Sequence, residues 1–545
     1  MPVKFDIVLR NGDFWTGNAG YPHARTVGIK SARIALVTDE TFPDLSSGLN
    51  LDLEGHFCMP GFIDAHTHLR SGGATFRKLN LRQSRSQPEL AEMVRNAATA
   101  VPVNKWITGS GWDNESWGNR QLPAKDLIDK FTPRTPVFLD RIDMHAALVN
   151  SFTLHLAGIT RDTPDPPGGV ILRDSSGEPM GIVKDAAREM ILKFIPEPTF
   201  DDRVLDAKSA AAHANRLGVT SVHDMSPEED TKAFVELMNK KELTVRIYSV
   251  PPISEHKLLV DAGIQADHDR TGNEWIKHGA VKAFADGSLG SDTAWFFEPY
   301  ENDGQNSGNA TAMMSSGELE RLAIDADRCH IQLAIHAVGD KAVSRTLDIF
   351  EEVTKQNPPW DRRFRIEHVQ HVRPFDFPRF GKLGVLASVQ PYHCIDDGRW
   401  ALGKIGIHRA ETTFAFRQMI DQGIPLAFGT DWPVAPLNPL KGIHAAVTRA
   451  TIDGKNPGGW IPQQRIKIEE ALKAYTLGSA HASFSEREKG TIEVGKLADL
   501  VILSQNPFEV EPDEIREIKI LMTIFGGRIV YGEAQFAECY DRFSS

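Results

Sequence analysis

The sequence predicts an α/β protein: a TIM-like (β/α)8 barrel, a composite β-sandwich made from the two chain ends, and a large insertion after the first barrel strand. Three observations lead there. Short apolar runs recur through the middle of the chain, each with polar residues near its end and a loop or helical stretch behind it, which is the rhythm of repeated βα units. Both ends carry short, turn-bounded strand patterns that are too small to make a stable sheet alone. One connection, from Arg70 to Leu217, runs for about 145 residues, where a βα loop normally takes ~2–6. A doubly wound sheet is the structural alternative, but no GxGxxG opens a helix.

At the N-terminus, DIVLRNGDFWTG (6–17) and ARIALVTD (32–39) read as strands between Gly, Asn and Asp turns. The tail matches them with ADLVILS (498–504) and MTIFGGRIVYG (522–532), the latter a hairpin around Gly526-Gly527, so the two ends are expected to pair. The eight expected barrel strands are 61–69, 218–225, 244–251, 280–288, 331–340, 364–370, 384–391 and 424–433. Helices are expected over 228–242, 316–329, 341–356 and 411–423. The long connection contains a helical stretch (87–101), a strand (135–141) and the turn DTPDPPGG (162–169), so it reads as a folded unit rather than a loop. The expected organisation is therefore 1–60 with 485–545 as the sandwich, 61–70 with 216–484 as the barrel, and 71–215 as an inserted lid or substrate domain.

The composition fits a globular chain of 545 residues, with 41% hydrophobic and 25% charged residues. A formal charge of −12 gives no electrostatic footprint for nucleic acid or an anionic membrane surface. No apolar run of about 18 residues exists, and the N-terminus lacks a signal-peptide core. Cys58, Cys329, Cys394 and Cys539 lie far apart, as in a reducing compartment, and a cytoplasmic location is expected. A homodimer is one option for the assembly.

The chemistry is carried by polar residues on these apolar strands. Strand alternation puts His66 and His68 on one face of the first strand. Lys282 sits inside AVKAFADG, His336 ends QLAIH, His368 ends FRIEH and Asp431 ends PLAFGTD. Four imidazoles, a carboxylate and a lysine converging on the C-terminal rim of a barrel suit a divalent metal centre, whereas burying them without a metal would leave costly unpaired polar groups. An ammonium cannot ligate, but desolvation depresses a lysine pKa. The free amine of Lys282 can then add carbon dioxide and give a carbamate with two oxygens. Asp286 and Ser288 share the strand face of Lys282 and could orient ligands. His371 has the opposite strand parity to His368 and reads as a non-ligand, as does His223.

The runs PGFIDAHTHL, VKAFADGSLGSDTAWFFEPY, AIHAVGD, RIEHVQ, ASVQPYHCIDDGRWA, AFGTDWPV and GTIEVGKLADLVIL resemble the amidohydrolase superfamily. Within it they are similar to amidohydrolase family 3, the YtcJ-like branch of metal-dependent hydrolases whose relatives include N-substituted formamide deformylase. The resemblance covers nearly the whole chain in order and spacing. It implies a metal-bearing barrel in which His66 and His68 bind one ion, His336 and His368 bind the other, carboxylated Lys282 bridges them, and Asp431 binds the first ion and moves protons. It also implies two divalent ions, zinc first among them. Where relatives read DGSLGSRTA, this chain carries Asp292 in place of the arginine, which exchanges a cation for an anion beside the site.

The reaction this implies is hydrolysis of a non-peptide amide-type C–N bond, in an N-substituted formamide or N-acyl amine, by a metal-bridged hydroxide. Asp431 would serve as base and then acid. Substrate contacts are expected from Trp112, Asp113 and His145 in the insertion and from His393, Asp397 and Trp400 after the seventh strand. Trp106, Trp112, Trp117, Trp295 and Trp400 flank these segments and lean towards an apolar or aromatic amine. The alternatives are an ester, carbamate or phosphotriester hydrolase on the same site, or a non-catalytic scaffold. Deamination is disfavoured by Lys282 and by the Ala-Val-Gly-Asp that follows His336.

Overall fold

The protein is described by a computed structural model covering residues 4–40, 45–102, 105–266 and 273–532. Its central strands are β1 (Phe62–Thr67), β2 (Val219–Asp224), β3 (Arg246–Ser249), β4 (Ile276–His278), β5 (Ala280–Phe284), β6 (Gln332–Ala337), β7 (Arg365–His368), β8 (Leu386–Val389) and β9 (Leu426–Phe428). They form two arcs, β4-β3-β2-β1 and β5-β6-β7-β8-β9. Every neighbouring pair in both arcs is parallel. Backbone contacts join the arcs at both seams. Lys282 N donates to Pro251 O at 2.7 Å on one side, and on the other His68 N donates to Trp432 O at 2.8 Å and Asp431 N to His66 O at 2.6 Å. Asp64 reinforces the second seam by accepting from Thr430 N (2.9 Å) and Thr430 Oγ1 (2.6 Å).

All six residues of β1 and all six of β6 are buried, as parallel strands covered on both faces require. The eight expected strands are all present but shorter than the apolar runs suggest, and Ile276–His278 is an addition that pairs with β3 just ahead of β5. The helices pack by three- and four-residue spacing: Asp340–Gln356 buries Val343, Leu347, Phe350 and Val353. The helix expected over 411–423 is confined to Phe416–Asp421, because Phe414 sits at φ +48° and breaks the helical backbone ahead of it.

The insertion builds a six-stranded mixed sheet in the order Gly169–Arg173, Pro179–Asp185, Ala146–Val149, Val137–Arg141, Ile107–Trp112, Leu79–Asn80. Another six-stranded sheet draws on both chain ends. Leu500–Leu503 pairs antiparallel with Phe57–Pro60, and the hairpin Ile520–Phe525/Arg528–Gly532 extends it. A four-stranded N-terminal sheet encloses with it an apolar cluster including Leu9, Phe14, Val27, Leu500, Ile502 and Ile524. Among the described residues no helix is long and apolar enough to cross a membrane. Cys58, Cys329 and Cys394 are free thiols, and Cys539 lies outside the described residues.

Candidate metal centre

The C-terminal ends of the central strands carry the polar cluster. The ligand atoms of His66, His368 and Asp431 all lie within 4.8 Å of one another, and all three residues are buried. His68 joins through Nε2, 3.4 Å from Asp431 Oδ1, and His66 Nε2 is 3.6 Å from the same oxygen. Lys282 Nζ lies 3.2 Å from His66 Nε2. The His336 ring is 4.4 Å from that of His368, centroid to centroid. Six side chains from β1 and the helix cap after it, β5, β6, β7 and the turn after β9 thus share one floor.

His66 and His68 do come together, with their rings 5.8 Å apart, but they do not both lie on the strand. The strand ends at Thr67, and His68 caps the following helix Leu69–Thr75 with φ −114°, ψ 71°. Asp431 reaches both imidazoles from across the seam. Two of the clustered residues stand in the left-handed region, His368 at φ +74° and Asp431 at φ +60°. For residues with a Cβ this conformation is uncommon and persists where the surroundings over-determine it. Here the backbone turns sharply at the strand ends, and the ligand atoms of both side chains lie in the cluster with His66.

The outer nitrogens of His66 and His336 are occupied. His66 Nδ1 donates to Glu367 Oε2 at 2.6 Å, Glu367 Oε1 accepts from Arg365 Nε at 2.8 Å, and Arg365 Nη1 donates to His223 Nδ1 at 2.9 Å. His336 Nε2 donates to Gly287 O at 3.0 Å. Each of the two histidines therefore keeps its remaining nitrogen as a neutral lone pair, which is what a divalent ion needs. Burial and nearby cations hold His66 down to about 4 and keep His336 and His368 well below the ordinary range. Burial brings Lys282 down to about 8. Burial alone would raise Asp431, but the His68 hydrogen bond and the neighbouring imidazoles outweigh it and keep it ionised. The donor set fits a metal ion: buried neutral imidazoles and one carboxylate, oriented from behind.

Asp286 accepts from Val338 N, Gly339 N and Trp295 N at 2.8–3.0 Å and braces the turn beyond β6, with Oδ1 3.6 Å from His336 Nε2. Ser288 Oγ donates to Asp143 at 2.7 Å. His371 binds Thr413, away from the cluster, and His223 is held by Arg365.

A cavity of about 690 Å³ opens above this floor, and Asp113, His145, His393, Asp397 and Trp400 all line it. Trp112 does not. Its indole is fully buried in the insertion's own core, beside Trp117, with Nε1 donating to Leu139 O at 2.7 Å. Its apolar bulk is satisfied there, so the expected substrate contact is not made. Asp292 also stays off the cavity wall, where Lys404 pairs with it at 2.9 Å. Further residues line the cavity: Asp143, Asp185, Arg141 and Arg188 from the insertion, and Phe284 and Met313 as apolar wall, of which Asp185, Arg188 and Met313 carried no sequence signal.

The family model described as "Amidohydrolase family" matches residues 51–531. The chain is 38% identical to "Protein LONG AFTER FAR-RED 3" of Arabidopsis thaliana, over 97% of this chain and 92% of that protein. It is 33% identical to "Putative amidohydrolase YtcJ" of Bacillus subtilis (88% and 90%) and 28% identical to "N-substituted formamide deformylase" of Arthrobacter pascens (96% and 98%). Among solved structures, an uncharacterized metal-dependent hydrolase from Pyrococcus horikoshii matches with a TM-score of 0.74 at 28% identity, over 93% of this chain and 99% of that one.

Proposed function

The chain belongs to the amidohydrolase family, and from that premise we propose that it is a metal-dependent hydrolase of a non-peptide amide C–N bond, in an N-substituted formamide or another N-acyl amine. The observation that carries the reading is the buried cluster of His66, His368 and Asp431, flanked by His68, His336 and Lys282, on the floor of a cavity large enough for a small amide. The formamide relative supports the substrate class. In this reading the two parallel arcs form one (β/α)8 barrel, with the backbone contacts at its seams as support.

His66, His68 and Asp431 would hold one divalent ion and His336 with His368 a second, zinc by the character of the donors. Burial draws Lys282 down to about 8, which raises the share of neutral amine that carbamate formation needs, and a carbamate there would serve both ions. Bound metal would lower the pKa of a water and polarise the substrate carbonyl. Asp431 accepts the proton of the attacking water and returns it to the departing nitrogen, so the products are a carboxylic acid and an amine. Phe284, Met313 and Met144 give the amine side an apolar wall.

The test is a screen of the metal-loaded protein against N-formyl, N-acetyl and longer N-acyl amines, reading amine release, with carboxylic esters and phosphotriesters in parallel and metal content by mass spectrometry. Amide turnover with about two ions per chain is expected. Turnover of esters or phosphotriesters alone would refute the amide assignment, and no bound metal after metal-supplemented expression would refute the centre.

A further inference from the structure

The insertion places a second ionisable pair above the metal cluster. His145 Nδ1 and Asp185 Oδ1 are 2.7 Å apart. A carboxylate only accepts, so Nδ1 carries the proton. The Asp185 backbone N–H donates to His145 O at 2.8 Å, and His145 N donates to Asp143 Oδ1 at 3.1 Å, so the histidine is fixed through ring and backbone together. Asp185 stands at φ +47°, ψ −122°, a conformation that residues with a Cβ rarely adopt, and it caps the helix Ala186–Leu192. Both residues line the cavity, and the His145 ring lies 5.5 Å from that of His336. Its Nε2 has no hydrogen-bond partner among the described residues. A strained backbone and a clamped ring with one unpartnered nitrogen, all on the cavity wall beside His336, form an arrangement built to meet a ligand.

We infer that His145, oriented by Asp185, hydrogen-bonds through Nε2 to the scissile amide of the substrate. This rests on the amide reading above. His145 is then the contact the insertion makes with the reacting group, on the His336–His368 side of the floor, while Asp431 works from the His66–His68 side. Asp185 is a positioning residue: it touches no substrate and acts by setting which nitrogen faces the cavity. The carboxylate at Asp185 comes from 40 residues downstream of His145.

The experiment uses the full-length metal-loaded protein and the best N-acyl amine from the screen. It compares His145→Leu, His145→Gln, Asp185→Ala and Asp185→Asn, with metal content and far-UV circular dichroism measured on each. Removing one directed hydrogen bond at a reacting centre lowers turnover by about 10²–10³-fold, and that loss in kcat/KM is expected for His145→Leu. Gln can still hydrogen-bond and should recover part of it. Asp185→Ala should lose roughly tenfold or more, and Asp185→Asn, which keeps an acceptor oxygen for Nδ1–H, should recover most of that. Metal content should equal wild type throughout. His145→Leu with wild-type kcat/KM overturns the inference, as does a loss that tracks metal loss, or Asp185→Asn no better than Asp185→Ala. Wild-type protein that hydrolyses only esters or phosphotriesters overturns the amide reading first and this inference with it.

Discussion

Glu367 offers the sharpest test of how the floor is held. Its carboxylate is fully buried, and it accepts from His66 Nδ1 on one oxygen and from Arg365 Nε on the other. Gln at this position keeps the shape but removes the charge and turns one acceptor into a donor. One of the two buried N–H groups then faces another N–H, and Arg365, also fully buried, keeps its charge with only Ala65 O, Ser388 Oγ and His223 Nδ1 as neutral acceptors. An orphaned buried donor costs about 1–3 kcal/mol, and breaking a buried ion pair from one side about 3–5 kcal/mol. These overlap, so Glu367→Gln should destabilise the metal-free protein by about 3–5 kcal/mol. Loss of an orienting partner behind a ligating histidine weakens metal binding by about 10–100-fold, or about 1.4–2.7 kcal/mol. Urea unfolding of the chelated protein reads the first quantity, and competition with a chromogenic chelator reads the second. Glu367→Asp, which keeps the charge, should lie between wild type and Gln in both. An unchanged urea midpoint together with a metal Kd within twofold of wild type would refute the claim that this carboxylate positions His66.

Three further outcomes are expected. Asp431→Asn should retain metal, since the histidines remain, yet lose about 10²–10⁴-fold in kcat, as the proposed proton transfer through Asp431 requires; full activity would remove Asp431 from the mechanism. Gly429→Ala should lower metal content, because a Cβ there would sit 2.5 Å from His66 N and 2.8 Å from its Cβ and push the strand that carries this ligand; unchanged stoichiometry would show that β1 yields without consequence. Lys489, buried with Nζ donating to Ser221 Oγ at 2.5 Å, is brought down by burial and by the Arg246 charge from its ordinary 10.5 to about 7. Between those values the unfolded chain holds a proton that the folded chain lacks. Stability therefore falls as pH drops through that window and is level below it, a cost of about 5 kcal/mol by linkage. Lys489→Met should escape this, so its urea-midpoint advantage over wild type should widen from pH 10 to pH 7; a constant difference would refute the assignment.

Much of the floor is legible in the sequence. Lys282, His336, His368 and Asp431 stand out because each interrupts or ends an apolar run, and a polar residue there is costly unless something pairs with it. His66 and His68 are legible as a neighbouring pair, and their rings lie 5.8 Å apart, although His68 belongs to a helix cap rather than to the strand. Trp112 shows the opposite failure. A tryptophan beside polar residues looks the same in sequence whether it lines a cavity or fills a core, and only the packing against Trp117 and Leu139 decides it.

Local chemistry by itself determined the parallel-strand rhythm, the long insertion, the pairing of the two ends and the set of residues at the strand ends, because hydrophobic periodicity and turn residues act over a few positions along the chain. Tertiary structure alone decided what stands behind and above the floor. Glu367 reaches His66 across 301 residues, Arg365 reaches His223 across 142, and Asp185 meets His145 only after two strands of the insertion have paired. Nothing in the spacing of those residues marks them. They are brought together by the packing of the sheets, and the left-handed backbone at His368 and Asp431 persists because the packed strands around it over-determine it.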